Sequence, residues 1–335
     1  MDESTLQSLP WHQATWTRLQ QARIQQRLPH ALLLSGPEGV GKLAFALRFA
    51  QSLLCVSIGE DGQACGHCRH CQLFAAGNHP DLQRIGPEES SKSGEIKVDQ
   101  IRALTEGASL TAKSGGYKLI IIRPAERMNS AAANSLLKTL EEPTANTVLI
   151  LLTDRPSRLL PTIRSRCQRF AFTLPSREES LVWLQNRIQS DDPETLLDLA
   201  CGAPLKALSM DDPEVLQQYR TALQAFLDLA QTRIDPVKLA EQWTKYDIKR
   251  LLEWLLGWVI DMVRLKACAH PPILFNRDQR QTLQPLAEGL NSQVLQGFLG
   301  QLYAVRNLTD SNLNPQLMLE RLLLEWHACV RQAAP

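Results

Sequence analysis

Residues Gly36-Pro37-Glu38-Gly39-Val40-Gly41-Lys42 fit the pattern G-x-x-x-x-G-K of a loop that wraps phosphate. In such a loop, backbone N–H groups and the lysine ammonium cradle phosphate oxygens at the start of a helix. Gly36, Gly39, Gly41 and Lys42 are therefore candidate nucleotide-binding residues. Hydrolysis needs more: a hydroxyl just after the lysine to hold Mg²⁺, and a carboxylate at the end of a neighbouring strand. Leu43 stands at the hydroxyl position, and the strand-like residues 118–122 run into Arg123 and Pro124 instead of an acid. Glu126 is acidic, but its offset from the strand end makes it a poor replacement. Arg123 has two readings, a partner for phosphate or a surface charge. Without metal, phosphoryl transfer loses its main electrostatic support. The residues predict a loop shaped for nucleotide with no Mg²⁺-dependent hydrolysis, and they leave open whether nucleotide binds.

A second constellation is Cys55-x₉-Cys65-x₂-Cys68-x₂-Cys71. Thiolates two residues apart converge on one tetrahedral ion, and four of them close the shell. A closed shell leaves no position for substrate, so a structural zinc is expected, with an Fe–S cluster as the alternative. His67 and His70 compete as ligands, though four cysteines make them unnecessary. The remaining cysteines, Cys167, Cys201, Cys268 and Cys329, are dispersed and read as buried thiols of a cytosolic chain.

A third motif, Ser165-Arg166-Cys167, is short and weak alone. Arg166 is either a surface charge or an arginine that reaches the phosphate of a neighbouring subunit. An arginine supplied in trans stabilises transition-state charge.

These groups need elements to hold them. Helical periodicity over 11–26 precedes a short apolar run at 31–35, then the glycine-rich loop, then an apolar helix at 43–54. Strand, loop and helix in that order are the setting a phosphate loop requires. After the cysteine-rich insertion, strands are expected at 80–85, 118–122, 147–153 and 168–172, with a polar loop at 86–94. Helices are expected at 98–108, 129–142 and 161–167. Alternating strands and helices predict a parallel sheet covered on both faces. From Ser176, which makes a capping box with Glu179, the pattern is helical to the end. The fold class is α/β followed by all-α. Trp243, Trp254, Trp258 and Trp326 fall on apolar helical stripes and read as core.

Bulk composition sets limits. The chain has 335 residues, with Lys+Arg (36) and Asp+Glu (35) almost in balance, so any electrostatic binding must be local. The N-terminal residues 1–4 are acidic, without an apolar signal core, and no window reaches the about 18 apolar residues of a membrane span. The expected compartment is the cytoplasm, with no membrane partner.

Several stretches together resemble the delta-prime subunits of bacterial DNA polymerase III clamp loaders. They are His30-Ala31-Leu32-Leu33, the phosphate loop, the four-cysteine insertion followed by Gly77-Asn78-His79-Pro80-Asp81, and the block from Ala131 through Leu136-Leu137-Lys138-Thr139-Leu140-Glu141-Glu142-Pro143. Thr162-Ile163-Arg164-Ser165-Arg166-Cys167 and Asn314-Pro315-Gln316-Leu317-Met318-Leu319-Glu320 complete the match. The resemblance implies a RecA-like AAA+ P-loop domain over 1–173 with a zinc module at 55–71, a three-helix lid over 174–210 and a helical collar over 211–335. It implies assembly with delta and gamma/tau subunits as a hetero-pentamer that loads the sliding clamp onto primer-template DNA, as a component of the polymerase holoenzyme. By position, Arg166 is the trans finger for an adjacent gamma/tau ATP site, Lys206 falls at the lid sensor position and Thr153 at the strand-end sensor position. Two rivals rest on the same residues: an active AAA+ ATPase with atypical metal ligands, and a zinc-knuckle DNA-binding protein. Leu43 and Arg123 weigh against the first. The net charge of +1 and the lack of aromatics interleaved in the cysteine cluster weigh against the second.

Overall fold

A computed structural model describes residues 8–88, 94–108, 112, 116–190, 192–308 and 314–331. The acidic residues 1–4, and residues 89–93 of the expected polar loop, lie outside them. The chain forms two compact units, Met1–Pro175 and Ser176–Pro335.

The first unit runs through a short 3₁₀ turn at Pro10–His12, α1 (Gln13–Ile24), β1 (Ala31–Ser35), α2 (Lys42–Leu54), α3 (Arg69–Ala75), β2 (Leu82–Ile85) and α4 (Val98–Ala108). It continues with β3 (Lys118–Ile122), α5 (Ser130–Glu141), β4 (Thr147–Thr153), α6 (Pro161–Arg166) and β5 (Gln168–Ala171). All neighbouring strands pair in parallel, in the order β2-β3-β4-β1-β5. The central strands are unbroken apolar runs because both faces are covered. Alternation along β1 shows this: Leu32 and Leu34 enter one core with Phe45 and Phe49 of α2. Ala31 and Leu33 enter the other with Leu136 and Leu140 of α5. Each large side chain so buried contributes about 1.5–3 kcal/mol.

Local chemistry sets the helix ends. Asn129 caps α5, its side-chain oxygen accepting from Ala132 N–H at 2.8 Å. Pro143 ends that helix, because the residue before a proline avoids helical backbone; Glu142 takes φ −126°, ψ 71°. The helix expected over 11–26 is divided. Trp11 and His12 sit in the 3₁₀ turn, and the regular helix starts at Gln13.

The second unit is helical throughout, as expected. It comprises α7 (Arg177–Gln185), α8 (Pro193–Leu199), α9 (Pro204–Ser209), α10 (Pro213–Ala230), α11 (Pro236–Trp243), α12 (Ile248–Ala267), α13 (Arg280–Gly289), α14 (Ser292–Leu308) and α15 (Pro315–Arg331). An Asp-Pro pair opens α8, α10 and α11, with Asp192, Asp212 and Asp235 accepting from backbone N–H groups of the first turn. Proline is preorganised for that first turn and gives up an N–H that has no helical partner there. Ser176 caps α7 by accepting from Glu179 N–H at 3.1 Å. All four tryptophans assigned to the core are buried, and Trp326 stacks on Phe226 at 4.6 Å between centroids. Among the described residues, no helix is long and apolar enough to cross a membrane.

Candidate functional site

The loop between β1 and α2 lies at the C-terminal edge of the sheet, where β4 also ends. Ser35 and Thr153 are register partners, and Gly36 N–H donates to Thr153 O at 3.3 Å. Thr153 is buried, and its hydroxyl accepts from Arg155 N–H at 3.1 Å. The sheet thus brings together Gly36, Gly39, Gly41, Lys42 and Thr153.

Lys42 does not point into open space. Its ammonium donates to Gly36 O at 2.7 Å and Pro37 O at 2.6 Å, and it pairs with Asp154 Oδ1 at 2.5 Å. The side chain is 7 % exposed. An ammonium has three hydrogens, and here each finds an oxygen of the protein. A phosphate entering the loop has to displace a carboxylate and two carbonyls. Asp154 is itself braced, its N–H donating to Glu126 Oε1 at 3.2 Å. Glu126, set aside as a metal ligand, therefore has a positioning contact. Leu43, at the hydroxyl position, packs against the apolar core. Arg123 is exposed.

The back of the loop is covered from the N-terminal side. Trp11 Nε1–H and His12 Nε2–H both donate to Val40 O, at 2.9 and 2.8 Å. Gly41 has φ +90°, and a Cβ there would lie 2.3 Å from Leu9 Cδ1 and 2.9 Å from His12 Cε1. Only glycine suits both the left-handed backbone and that close approach. His12 meets the rings of Phe45 and Phe172 edge-on. Burial lowers its pKa from 6.5 to about 4; the bond to Val40 O opposes the shift and the Arg48 charge adds to it.

This yields a pH prediction. Between pH 6.5 and about 4 the unfolded histidine takes a proton that the native one refuses. Stability therefore falls as pH drops through that window, by up to about 3 kcal/mol in all. Urea unfolding at stepped pH measures the slope, and His12→Gln should remove this part of it. An unchanged slope in the variant would contradict the assignment.

The cysteine cluster converges as expected. The four Sγ atoms lie within 4.8 Å of one another. Cys55 and Cys65 are 3.6 Å apart, Cys55 and Cys68 3.9 Å, and Cys65 and Cys71 4.0 Å. A tetrahedron with metal–sulfur bonds of about 2.3 Å has edges of about 3.8 Å, so the set fits one ion. A multi-iron cluster would hold the sulfurs farther apart. Backbone N–H groups of Cys65, Cys68 and Cys71 point at the sulfurs of Cys55, Cys65 and Cys68, at 3.3, 3.3 and 3.5 Å. Burial raises the Cys55 and Cys71 thiols. Burial also pushes Cys68 upward, but hydrogen bonds from the backbone at Cys71 and Val56 and from the Cys71 and Cys65 thiols together draw it down to about 6.

The nearby histidines have other partners. His67 Nδ1–H donates to Cys65 O at 2.8 Å, and the convergent group of ligand atoms among the described residues is the four cysteine sulfurs without a histidine. His79 Nδ1 accepts from Asp81 N–H at 3.1 Å, which places its proton on Nε2 and makes His70 Nδ1, 2.9 Å away, the acceptor. The module is tied to α1 and α2. Trp16 Nε1–H of α1 donates to Asp61 O at 3.0 Å, Gln20 of α1 to Gly62 O at 3.2 Å, and Arg48 Nε–H of α2 to Gln63 Oε1 at 3.4 Å.

Arg166 ends α6 with its own partners. It pairs with Glu141 Oε1 at 2.6 Å and donates to Thr162 O at 3.1 Å. Lys206, on α9 of the second unit, pairs with Glu253 Oε2 of α12 at 2.5 Å. Asp154, Glu141 and His12 were missed by sequence reasoning. Asp154 leaves a trace in the sequence, since it directly follows the buried residues 147–153, but the position expected for a metal-organising acid follows 118–122, one strand away.

Comparison with known proteins places these features. The family described as DNA polymerase III, delta subunit, matches residues 11–176, and its C-terminal counterpart matches residues 213–328. The DNA polymerase III subunit delta' of Pseudomonas aeruginosa is 40% identical over 323 residues, covering 95% of this chain and 96% of that protein. The Escherichia coli subunit delta' is 32% identical over 319 residues, covering 94% of each. A gamma-subunit-related protein of DNA polymerase III from Thermotoga maritima superposes with a TM-score of 0.46 at 20% identity, covering 93% of this chain and 99% of that one. With this identity sustained across nearly its whole length, the chain belongs to the delta-prime family of DNA polymerase III clamp-loader subunits.

Proposed function

We propose that this chain is a non-hydrolysing clamp-loader subunit that lends an arginine to a neighbour's ATP site. One observation carries the reading: Lys42 is satisfied by Gly36 O, Pro37 O and Asp154, while Leu43 lies against the core. Phosphoryl transfer in such loops depends on a lysine free to reach phosphate and a hydroxyl on Mg²⁺. Neither is on offer here. Arg166, at the exposed end of α6, is the residue given to the adjacent subunit. By family resemblance the partners are delta and gamma/tau in a hetero-pentamer, acting in the cytoplasm to place the sliding clamp on primed DNA. In this reading α7–α9 form the lid and α10–α15 the collar. Thr153 and Lys206 keep the sensor positions while bound to local partners. Cys55, Cys65, Cys68 and Cys71 hold a structural zinc, which fixes the loop they share and takes no part in a reaction.

The isolated chain should show no ATP turnover at millimolar ATP and Mg²⁺. Turnover that Lys42→Ala abolishes would overturn the reading and restore an active ATPase.

A further inference from the structure

Glu141 sits where helix energetics do not favour it. It is the last residue of α5, and Glu142 follows. A carboxylate at a helix C-terminus opposes the helix dipole by about 0.3–1 kcal/mol. Its ion pair with Arg166 joins side chains that are 50 % and 37 % exposed, and such surface pairs add about 0–1 kcal/mol. Stability therefore gains little from this carboxylate, and its place calls for another reason.

The geometry points to one. An arginine at a helix end is loose, with about 2 kcal/mol of rotamer entropy. Here Glu141 Oε1 takes the NH2 side of Arg166 at 2.6 Å and Thr162 O takes the NH1 side at 3.1 Å. Two contacts on different nitrogens fix both the position and the plane of the guanidinium. N–H groups remain for an incoming phosphate. The support is itself rigid. His30 Nε2–H donates to Leu140 O at 3.0 Å, one residue from Glu141. Pro143 ends the helix just beyond, and α5 packs on α6.

We infer that Glu141 is a positioning residue that holds the Arg166 guanidinium in the orientation it presents to the neighbouring subunit. This rests on the finger reading of Arg166. The carboxylate never touches substrate; it acts by lowering the ordering that Arg166 must undergo on the way to the transition state.

Single-turnover ATP hydrolysis by the reconstituted complex tests it with four variants. Glu141→Ala should slow one phase of the single-turnover trace, that of the site Arg166 serves, about tenfold, with the ATP concentration for half-saturation unchanged. Glu141→Gln keeps an oxygen acceptor of the same shape and should stay near the parent. In the Arg166→Ala background, Glu141→Ala should cause no further loss. Helix α5 loses an unfavourable charge and one surface ion pair, which roughly offset each other, and thermal unfolding of the subunit checks that it stays folded. If Arg166→Ala lowers turnover but Glu141→Ala does not, or raises it, the positioning role fails and the finger stands. An equal loss from Glu141→Ala with and without Arg166 likewise overturns the role. If Arg166→Ala itself changes nothing, the finger reading fails and takes this inference with it.

Discussion

Arg166→Ala should leave the assembled clamp loader intact while lowering ATP hydrolysis at one of its sites by about a thousandfold or more. The size follows from the charge problem at the γ-phosphate. Negative charge spreads over oxygens in a site that excludes water, and a guanidinium placed there is worth far more than one in solvent. Assembly should survive because one partly exposed side chain supplies little of the area that a stable subunit interface buries. Arg166→Lys should recover little, since an ammonium cannot keep both contacts and also present a planar fork. Total turnover of the complex will fall by less than the single-site effect, because sites not served by this chain continue. Single-turnover traces should therefore become biphasic.

On the proposed structural zinc, Cys71→Ser should abolish metal binding and unfold the module over residues 55–71. Apparent zinc affinities of such sites correspond to about 10–16 kcal/mol, far more than the few hydrogen bonds that tie the module to α1 and α2. Cys71 is buried, and burial holds its thiol protonated until a cation takes the proton's place. Metal analysis should find about one zinc per parent chain and none in the variant. Amide hydrogen exchange should accelerate over residues 55–71 and stay slow in β1, β3 and β4. A parent chain with the same protection pattern before and after chelation would contradict a structural metal.

Much of this arrangement is legible in the chain itself. Strands β1, β3 and β4 announce themselves as apolar runs because they are covered on both faces. The glycine-rich loop lies where strand meets helix, and the cysteine spacing alone brings four sulfurs together. Asp-Pro pairs mark helix starts in the second unit. What stays hidden depends on contacts between distant segments. The turn at Trp11 and His12 breaks a helical pattern because both side chains reach Val40 O. Lys42 looks free to meet phosphate until β4 brings Asp154 beside it. Arg166 reads as a surface charge or a trans arginine, with no partner in view, until α5 sets Glu141 against it. Local periodicity reports which face a residue takes; it does not report which charge waits on the neighbouring element.

The central claim is a division of labour: the loop in this chain is idle, and the arginine works elsewhere. The most direct measurement compares Lys42→Ala and Arg166→Ala, each built into the full complex, by DNA-stimulated ATP hydrolysis. The account predicts turnover near the parent for Lys42→Ala and a clear loss for Arg166→Ala. Loss in Lys42→Ala with parent-like turnover in Arg166→Ala would contradict it.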